Sequence, residues 1–287
     1  MEAYTQLMYQ LFALYNDREA ATIADWVIEH ITGFKRIDRI INKKFPLTED
    51  QQKILQQCTT QLLLHKPVQY VLQEAWFAGI KLYVDENVLI PRPETEELVE
   101  WVAEEVSSCQ FPVTSLIDIG TGSGCIPIVL KRKLPDVEIH AVDISAAAID
   151  VAKKNATNLE MDIHFKQMDI LEKEIWKQLP VFDIIVSNPP YIKQTEAFAM
   201  NENVLKYEPH RALFVPDNNA LLFYETIAVF GLQHLTADGK LFFEINETSG
   251  KQVCSLLEKY GYTNIELRKD LQGKDRMVKA GKSKDSI

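Results

Sequence analysis

The sequence predicts an α/β protein: a mostly parallel sheet covered by helices on both faces, closed by an antiparallel C-terminal hairpin and preceded by a small helical bundle. Three observations carry that reading. From about residue 113, short apolar β-type runs alternate with helical segments, the order that builds a parallel sheet. Residues 1–72 carry helix periodicity and almost no strand signal. The last two β-rich runs are joined by a turn at Gln272-Gly273, too short to link parallel strands, so this pair is expected to be antiparallel at the sheet end.

The elements follow in order. Leu7, Leu11, Leu14 and Tyr15 recur at helix spacing, and "DREAATIADWVIEHITG" reads as a second helix entered at Asp17 and closed near Gly33. Pro46 and the capping-box pattern Thr48-x-x-Gln51 announce a third helix, which stops before Pro67. Residues 73–92 change character: β-rich runs flank Gly79 and the turn-like Asp85-Glu86-Asn87, the mark of a hairpin linker. Pro93 then opens a helix whose first turn carries Glu94, Glu96 and Glu97 near the positive end of its dipole. In the third part, 93–287, the strands are "SLIDIG", "EIHAVDI", "IHFKQMDI", "FDIIVSN" and "GKLFFEIN", followed by the hairpin "NIELRKDLQGKDRMVKAG" and a polar tail, "GKSKDSI".

Composition narrows the function. At 287 residues, two domains or one domain with an extension are expected. A formal net charge of -10 argues against a surface that grips many phosphates, so no direct, stable nucleic-acid binding is expected. The four cysteines, Cys58, Cys109, Cys125 and Cys254, are widely spaced without a C-x-x-C pair, which suggests neither a zinc site nor a disulfide framework. The N-terminus lacks a basic region and a long apolar run, and no segment reaches membrane-spanning length. A cytoplasmic protein without membrane association is expected.

Candidate site residues gather at the predicted carboxyl ends of strands, where ligands of open α/β sheets bind. "LIDIGTGSGCIPIVL" places Asp118, Gly120, Thr121, Gly122, Ser123 and Gly124 between a strand and a helix. The dinucleotide fingerprint fails at Cys125, and no Gly-Lys-Ser/Thr follows for a phosphate loop. Alone, such a loop is also what a strand-to-helix turn requires. Asp143, 23 positions after Gly120, closes the second strand where a carboxylate can accept both hydroxyls of a ribose. An Asp at a strand end is also an ordinary helix cap, but beside the glycine loop it favours a nucleoside. Asp169 ends the third strand beside the expected adenine pocket, and a helix N-cap is its other reading. Asn188 ends the fourth strand and is followed by Pro189, Pro190 and Tyr191, two prolines that stiffen the backbone and an aromatic ring.

The Asp-x-Gly-x-Gly-x-Gly loop, the acidic strand end and Asn-Pro-Pro-Tyr resemble class I S-adenosylmethionine-dependent methyltransferases with a Rossmann-like sheet. The closer resemblance is to the PrmC/HemK family of bacterial release factor glutamine methyltransferases, and it extends over nearly the whole chain. "QYVLQEAWFAGIKLYVDENVLIPRPETEELVEW" is similar to that family's linker and entry helix, "NPPYI" to its catalytic motif and "YEPHRALF" to the segment that follows. The resemblance implies methylation of the side-chain amide (N5) of the glutamine in the GGQ motif of class I peptide chain release factors, and a monomer is expected. It implies S-adenosylmethionine as cofactor and S-adenosylhomocysteine as product. The helical N-terminal domain becomes the region that recognises the release factor. Asn188, Pro189, Pro190 and Tyr191 become the catalytic and substrate-binding set. Asp118, Gly120, Thr121, Gly122, Ser123, Gly124, Asp143, Asp169, Ile170 and Asn188 become the cofactor set. One departure is Ile170, which stands where some members are expected to place an aromatic side chain against adenine.

The chemistry suits the motif. An amide nitrogen is a poor nucleophile, and two acceptors, the Asn188 side-chain oxygen and the Pro189 carbonyl, would fix its two N–H bonds and align it with a sulfonium methyl. The same acceptors favour the positive charge that grows on nitrogen. Tyr191 would pack against the flat amide. The main rival is an N6-adenine methyltransferase on DNA or RNA, which poses the same geometric problem but needs a grip on a phosphate backbone. A nucleoside-binding scaffold without chemistry is a second. Arg92 is either exposed ahead of its helix or near the ligand, Glu208 and Arg211 read as loop-ordering, and Trp76 and Phe77 either line the pocket or seat the linker.

Overall fold

The structure is a computed structural model that describes residues 2–42, 45–109 and 112–283. The last four residues of the expected polar tail lie outside them. The chain divides into two compact units, Met1–Glu74 with Met200–Tyr207, and Ala75–Ala199 with Glu208–Ile287.

The first unit is helical. Helix Glu2–Leu11 ends earlier than the apolar spacing suggests, so Leu14 and Tyr15 follow it in a turn. Helix Asp17–Thr32 is entered through Asn16, whose side chain accepts from the Glu19 N–H at 3.0 Å, and it stops at Gly33, where φ is 71°. The capping box at helix Glu49–Leu62 forms as read: the Thr48 hydroxyl accepts from Gln51 N at 3.3 Å, and Gln51 Oε1 accepts from Thr48 N at 3.0 Å. Leu7, Leu11, Ile23, Val27 and Leu62 meet in its core. Two short helices were not legible in the spacing, Arg36–Ile41 and Val68–Leu72. Helix Glu202–Tyr207 also belongs to this unit, its Tyr207 hydroxyl donating to the Leu64 carbonyl at 2.8 Å.

The second unit opens with the hairpin Ala75–Phe77 and Ile80–Leu82 around Ala78-Gly79. Its main sheet has seven strands: β1 (Ser115–Ile119), β2 (Glu138–Asp143), β3 (His164–Gln167), β4 (Phe182–Ser187), β5 (Leu235–Glu244), β6 (Thr263–Lys269) and β7 (Asp275–Gly281). Their spatial order is β3-β2-β1-β4-β5-β7-β6. The first five are parallel, and β7 runs antiparallel between β5 and β6. The hairpin is thus antiparallel as expected, with its second strand, not its first, against the parallel part.

Alternating strand residues feed two cores, as burial of both faces requires. Leu116, Ile184, Val186 and Phe242 belong to one core, while Ile117, Ile119, Ile185 and Phe243 belong to the other. Helix Pro93–Ser108 covers the first face and sets Trp101 edge-on to Phe242, ring centroids 5.4 Å apart. Helix Leu222–His234 contributes Ile227, Ala228 and Phe230 to the second. The segment "ILEKEIWKQL" is not the α-helix its composition suggests. It is a 3₁₀ turn over Lys173–Gln178, where Trp176 is buried and its Nε1 donates to the Ile170 carbonyl at 2.9 Å. Among the described residues, no helix is long and apolar enough to cross a membrane.

Candidate active site at the strand ends

Parallel strands expose one row of carboxyl ends, and the right-handed helices that return from them leave a crevice there. In this chain the crevice is a cavity of about 530 Å³ whose walls include Gly120, Gly122, Asp143, Asp169, Ile170, Asn188, Pro189 and Pro190. Asn87, Val88 and Leu89 from the linker and Pro209–Ala212 from the "YEPHRALF" segment complete its wall. Asp118, Thr121, Ser123, Gly124 and Tyr191 do not line it. The first four lie in or beneath the glycine loop: Asp118 is fully buried, and Thr121 and Ser123 nearly so. A larger groove of about 890 Å³ in the helical unit is lined by Gln6, Gln10, Gln52 and Gln56 among others, and among its lining residues only Glu2 is ionisable.

The loop is held by its own backbone. Gly120 N and Thr121 N both donate to the Val142 carbonyl at the end of β2, at 2.9 and 3.0 Å, which ties the ends of two adjacent strands. Gly122 and Gly124 have φ of 54° and 80°, a region that L side chains enter at a cost of about 1–2 kcal/mol. At Gly124 a Cβ would also come within 3.1 Å of Ala152 Cβ, so this glycine also permits the helix that follows to pack against its neighbour. Asp143 Oδ2 accepts from Gly122 N and Oδ1 from Ser145 N, both at 2.9 Å. The cap of the next helix is Ser145, whose hydroxyl accepts from Ala148 N, so Asp143 is not spent as a helix cap. Asp169 makes an Asx turn instead of capping a helix, its Oδ1 accepting from Leu171 N at 2.9 Å.

Two carboxyls near the loop are electrostatically frustrated. Asp118 has no hydrogen-bond partner on either carboxyl oxygen, and the hydroxyls of Thr121 and Ser123 are likewise unpartnered. Burial pushes the Asp118 carboxyl up to about 7, and the charge of Asp143 adds to the effect. Burial raises Asp143 as well, against the pull of its backbone N–H donors. Such a pair is suited to a ligand that brings positive charge and hydrogen-bond donors.

Asn188 is fixed from both sides. The Ser187 hydroxyl donates to the Ile119 carbonyl at 2.6 Å, tying the end of β4 to the end of β1. Asn188 Nδ2 donates to Thr95 Oγ1 at 3.2 Å, and that hydroxyl donates to Glu244 Oε2 at 2.6 Å. The Tyr191 hydroxyl approaches Glu244 Oε1 at 3.4 Å, so the tyrosine faces the buried end of β5. Glu244 is 1% exposed. Burial pushes its carboxyl up to about 7, and Thr95, Arg276 and Tyr191 pull it back.

Around this centre the linker is pinned at two points. Arg92 Nη2 pairs with Glu208 Oε1 at 2.6 Å, and Glu208 Oε2 accepts from Ile90 N at 3.3 Å. Glu208 orders the loop, and Arg92 is its partner. Arg211 is exposed at the cavity wall. Phe77 is buried in the core and Trp76 is 62% exposed, so this hairpin is seated by one aromatic and neither lines the cavity. Sequence reasoning missed Asn155, whose Oδ1 accepts from Tyr83 N at 2.7 Å and whose Nδ2 donates to the carbonyls of Tyr83 and Ser123, each at 2.9 Å. Asn155→Ala strands a backbone N–H and two carbonyls, and chemical denaturation should show a loss of about 2–4 kcal/mol.

Sheet order and strand-end cavity together define a Rossmann-like methyltransferase domain. The catalytic domain of hMettl16 in complex with MAT2A 3'UTR hairpin 6 shares the fold at TM-score 0.55 and 18% identity, covering 83% of this chain and 82% of that one. A methyltransferase from Pyrococcus furiosus matches at TM-score 0.51 and 15% identity, over 83% and 100% of the two chains. Residues 98–211 match the Methyltransferase small domain family, and residues 3–72 the PrmC N-terminal domain family. The release factor glutamine methyltransferase of Flavobacterium psychrophilum is 43% identical over 276 residues, 96% of each chain. That of Bacteroides thetaiotaomicron is 38% identical over 269 residues, 94% of this chain and 95% of its own. The chain belongs to the release factor glutamine methyltransferase family.

Proposed function

We propose that this chain transfers a methyl group from S-adenosylmethionine to the side-chain amide nitrogen of the glutamine in the GGQ motif of class I release factors, acting in the cytoplasm as a monomer. One observation carries the reading: the neutral amide of Asn188 and the backbone after it sit in the wall of the cavity that also holds Gly120, Gly122 and Asp143. The buried, unpartnered Asp118 and the raised Asp143 fit a cationic nucleoside, and an anionic phosphate ligand would be repelled by them. When bound, the cofactor supplies an electrophilic methyl on a sulfonium.

The protein's own contribution is to bind and to orient. Asp143 would accept the ribose hydroxyls, while its remaining lone pairs keep the loop in place. Ile170, beside Asp169 in the cavity wall, would offer an aliphatic surface to the adenine. Asn188 Oδ1 and the Pro189 carbonyl would each take one N–H of the substrate amide and so orient its nitrogen for the transfer. Both acceptors gain strength as positive charge develops on that nitrogen. The proton of the methylated amide is acidic and leaves to water. Tyr191 enters as a support to this group and not as a wall of the cavity, since its hydroxyl is turned to Glu244.

An exocyclic adenine amino group is the competing acceptor. The net charge of -10 and the match of residues 3–72 to the PrmC N-terminal domain family favour the protein substrate. With labelled S-adenosylmethionine, the chain should label a release factor and leave duplex DNA and structured RNA unlabelled. Label on nucleic acid and none on the release factor would replace this reading with its rival.

A further inference from the structure

An acceptor at position 188 works only if its amide is the right way round. Rotating the side chain by half a turn about its last bond replaces the oxygen with an NH₂ group of almost the same shape, and that group would repel the substrate's N–H bonds. Something must select between the two orientations. Resting on the function proposed above, we propose that Thr95 and Glu244 are positioning residues that make this selection, holding the nitrogen of Asn188 so that its oxygen is left to the substrate.

Donors and acceptors decide the orientation. An ionised carboxylate only accepts, so the single proton of the Thr95 hydroxyl is committed to Glu244 Oε2 at 2.6 Å. The Thr95 oxygen can then only accept from its other neighbour. Asn188 at 3.2 Å must therefore present Nδ2, which directs Oδ1 away from Thr95. Neither Thr95 nor Glu244 lines the cavity, and both are buried, which is the placement of a support and not of a group that touches substrate. The Tyr191 hydroxyl at 3.4 Å and the Arg276 guanidinium are the other groups that favour the ionised Glu244. Arg276 is itself held by Asp270 at 3.1 Å. Glu94 opposes ionisation, and the half-buried Cys125 thiol feels the same carboxylate.

A pH dependence follows from the same chain. Protonated Glu244 can donate to Thr95, which frees the threonine proton to donate onward and lets Asn188 turn its oxygen inward. Glu244 titrates near 7, so the fraction in the productive orientation rises as pH rises through that value. The rate at saturating cofactor should fall below it.

The test uses the full-length chain with three substitutions, Thr95→Val, Thr95→Ser and Glu244→Gln. Thr95→Val should lower the single-turnover rate by roughly tenfold, the worth of one ordinary hydrogen bond, with cofactor affinity and KM for the release factor little changed. Thr95→Ser keeps the hydroxyl and should restore most of the rate. Glu244→Gln should be slow and flat in pH over roughly pH 6–8.5, where the parent rises. A second readout needs no turnover: with ¹⁵N-labelled asparagine, the Asn188 side-chain NH₂ should exchange slowly with solvent in the parent and Thr95→Ser, and fast in Thr95→Val. An unchanged rate in Thr95→Val, equal loss in Val and Ser, or an NH₂ signal indifferent to Thr95 would overturn the proposal. If the parent transfers no methyl to a release factor, the proposed function falls, while the NH₂ exchange still decides the orientation of Asn188.

Discussion

Asn188→Ala should lower single-turnover methyl transfer by roughly 10²–10³-fold, the effect of deleting one preorganised hydrogen-bonding group at a site of developing charge. Cofactor affinity should barely move, because the contribution is made in the transition state. The side chain is half-buried at the end of β4, between Ser187 and two prolines, so truncation leaves a small cavity without unwinding the strand. It also leaves the Thr95 oxygen without its donor. Asn188→Asp is the sharper comparison. It keeps an acceptor and the shape but loses the NH₂ that Thr95 holds, and it sets a charge beside the sulfonium. It should retain more activity than alanine and less than the parent. Rates measured with a release factor at saturating cofactor decide the order, and an alanine variant as fast as the parent would reduce the motif to a rigid strand exit.

Asp143→Ala should weaken S-adenosylmethionine binding by about 10–150-fold, corresponding to about 1.5–3 kcal/mol for hydrogen bonds to a charged group. The loss has two parts. On the proposed function the ribose hydroxyls would lose their acceptor, and the loop loses the clamp on Gly122 N and Ser145 N. Asp143→Asn keeps one neutral acceptor and should fall between. The same calorimetric titration should depend on pH. Burial pushes the Asp118 carboxyl up to about 7, and a cation bound in the cavity above the glycine loop would favour its ionised form through the field it sets up there. Binding then releases a proton, so affinity should increase as pH rises from about 6 to 7.5 and decline on the acid side. Equal affinity for parent and Asp143→Ala would remove Asp143 from the site, and a flat pH profile would show that no bound cation is felt by Asp118.

Much of this site was legible because its parts are local. Asp118 to Gly124, Asp143, Asp169 and Asn188 each sit at a strand end, and strand ends can be read from short alternating patterns. The parallel sheet makes those ends neighbours without further information. What holds the parts in place was not legible. Thr95 meets Asn188 across 93 residues and Glu244 across 149, and Asn155 reaches Tyr83 across 72. No spacing rule connects such pairs, since the sheet order alone brings them together. Tyr191 shows the same limit: its place beside Asn188 was plain, but the buried carboxylate that draws its hydroxyl inward lies on β5. The turn at Lys173–Gln178 resembles a helix in composition, but Trp176 is committed to the core and to the Ile170 carbonyl. Helix Glu202–Tyr207 joins the first unit through contacts that its own sequence does not announce.

On the proposed function, one side-chain amide nitrogen of a release factor receives the methyl group beside Asn188. Tandem mass spectrometry of a release factor, after incubation with the chain and S-adenosylmethionine, tests it most directly. One added methyl is expected, placed by fragment ions on the side chain of the GGQ glutamine, and lost with Asn188→Ala. A methyl on any other residue, or an unmodified glutamine beside an active and cofactor-bound chain, would contradict it.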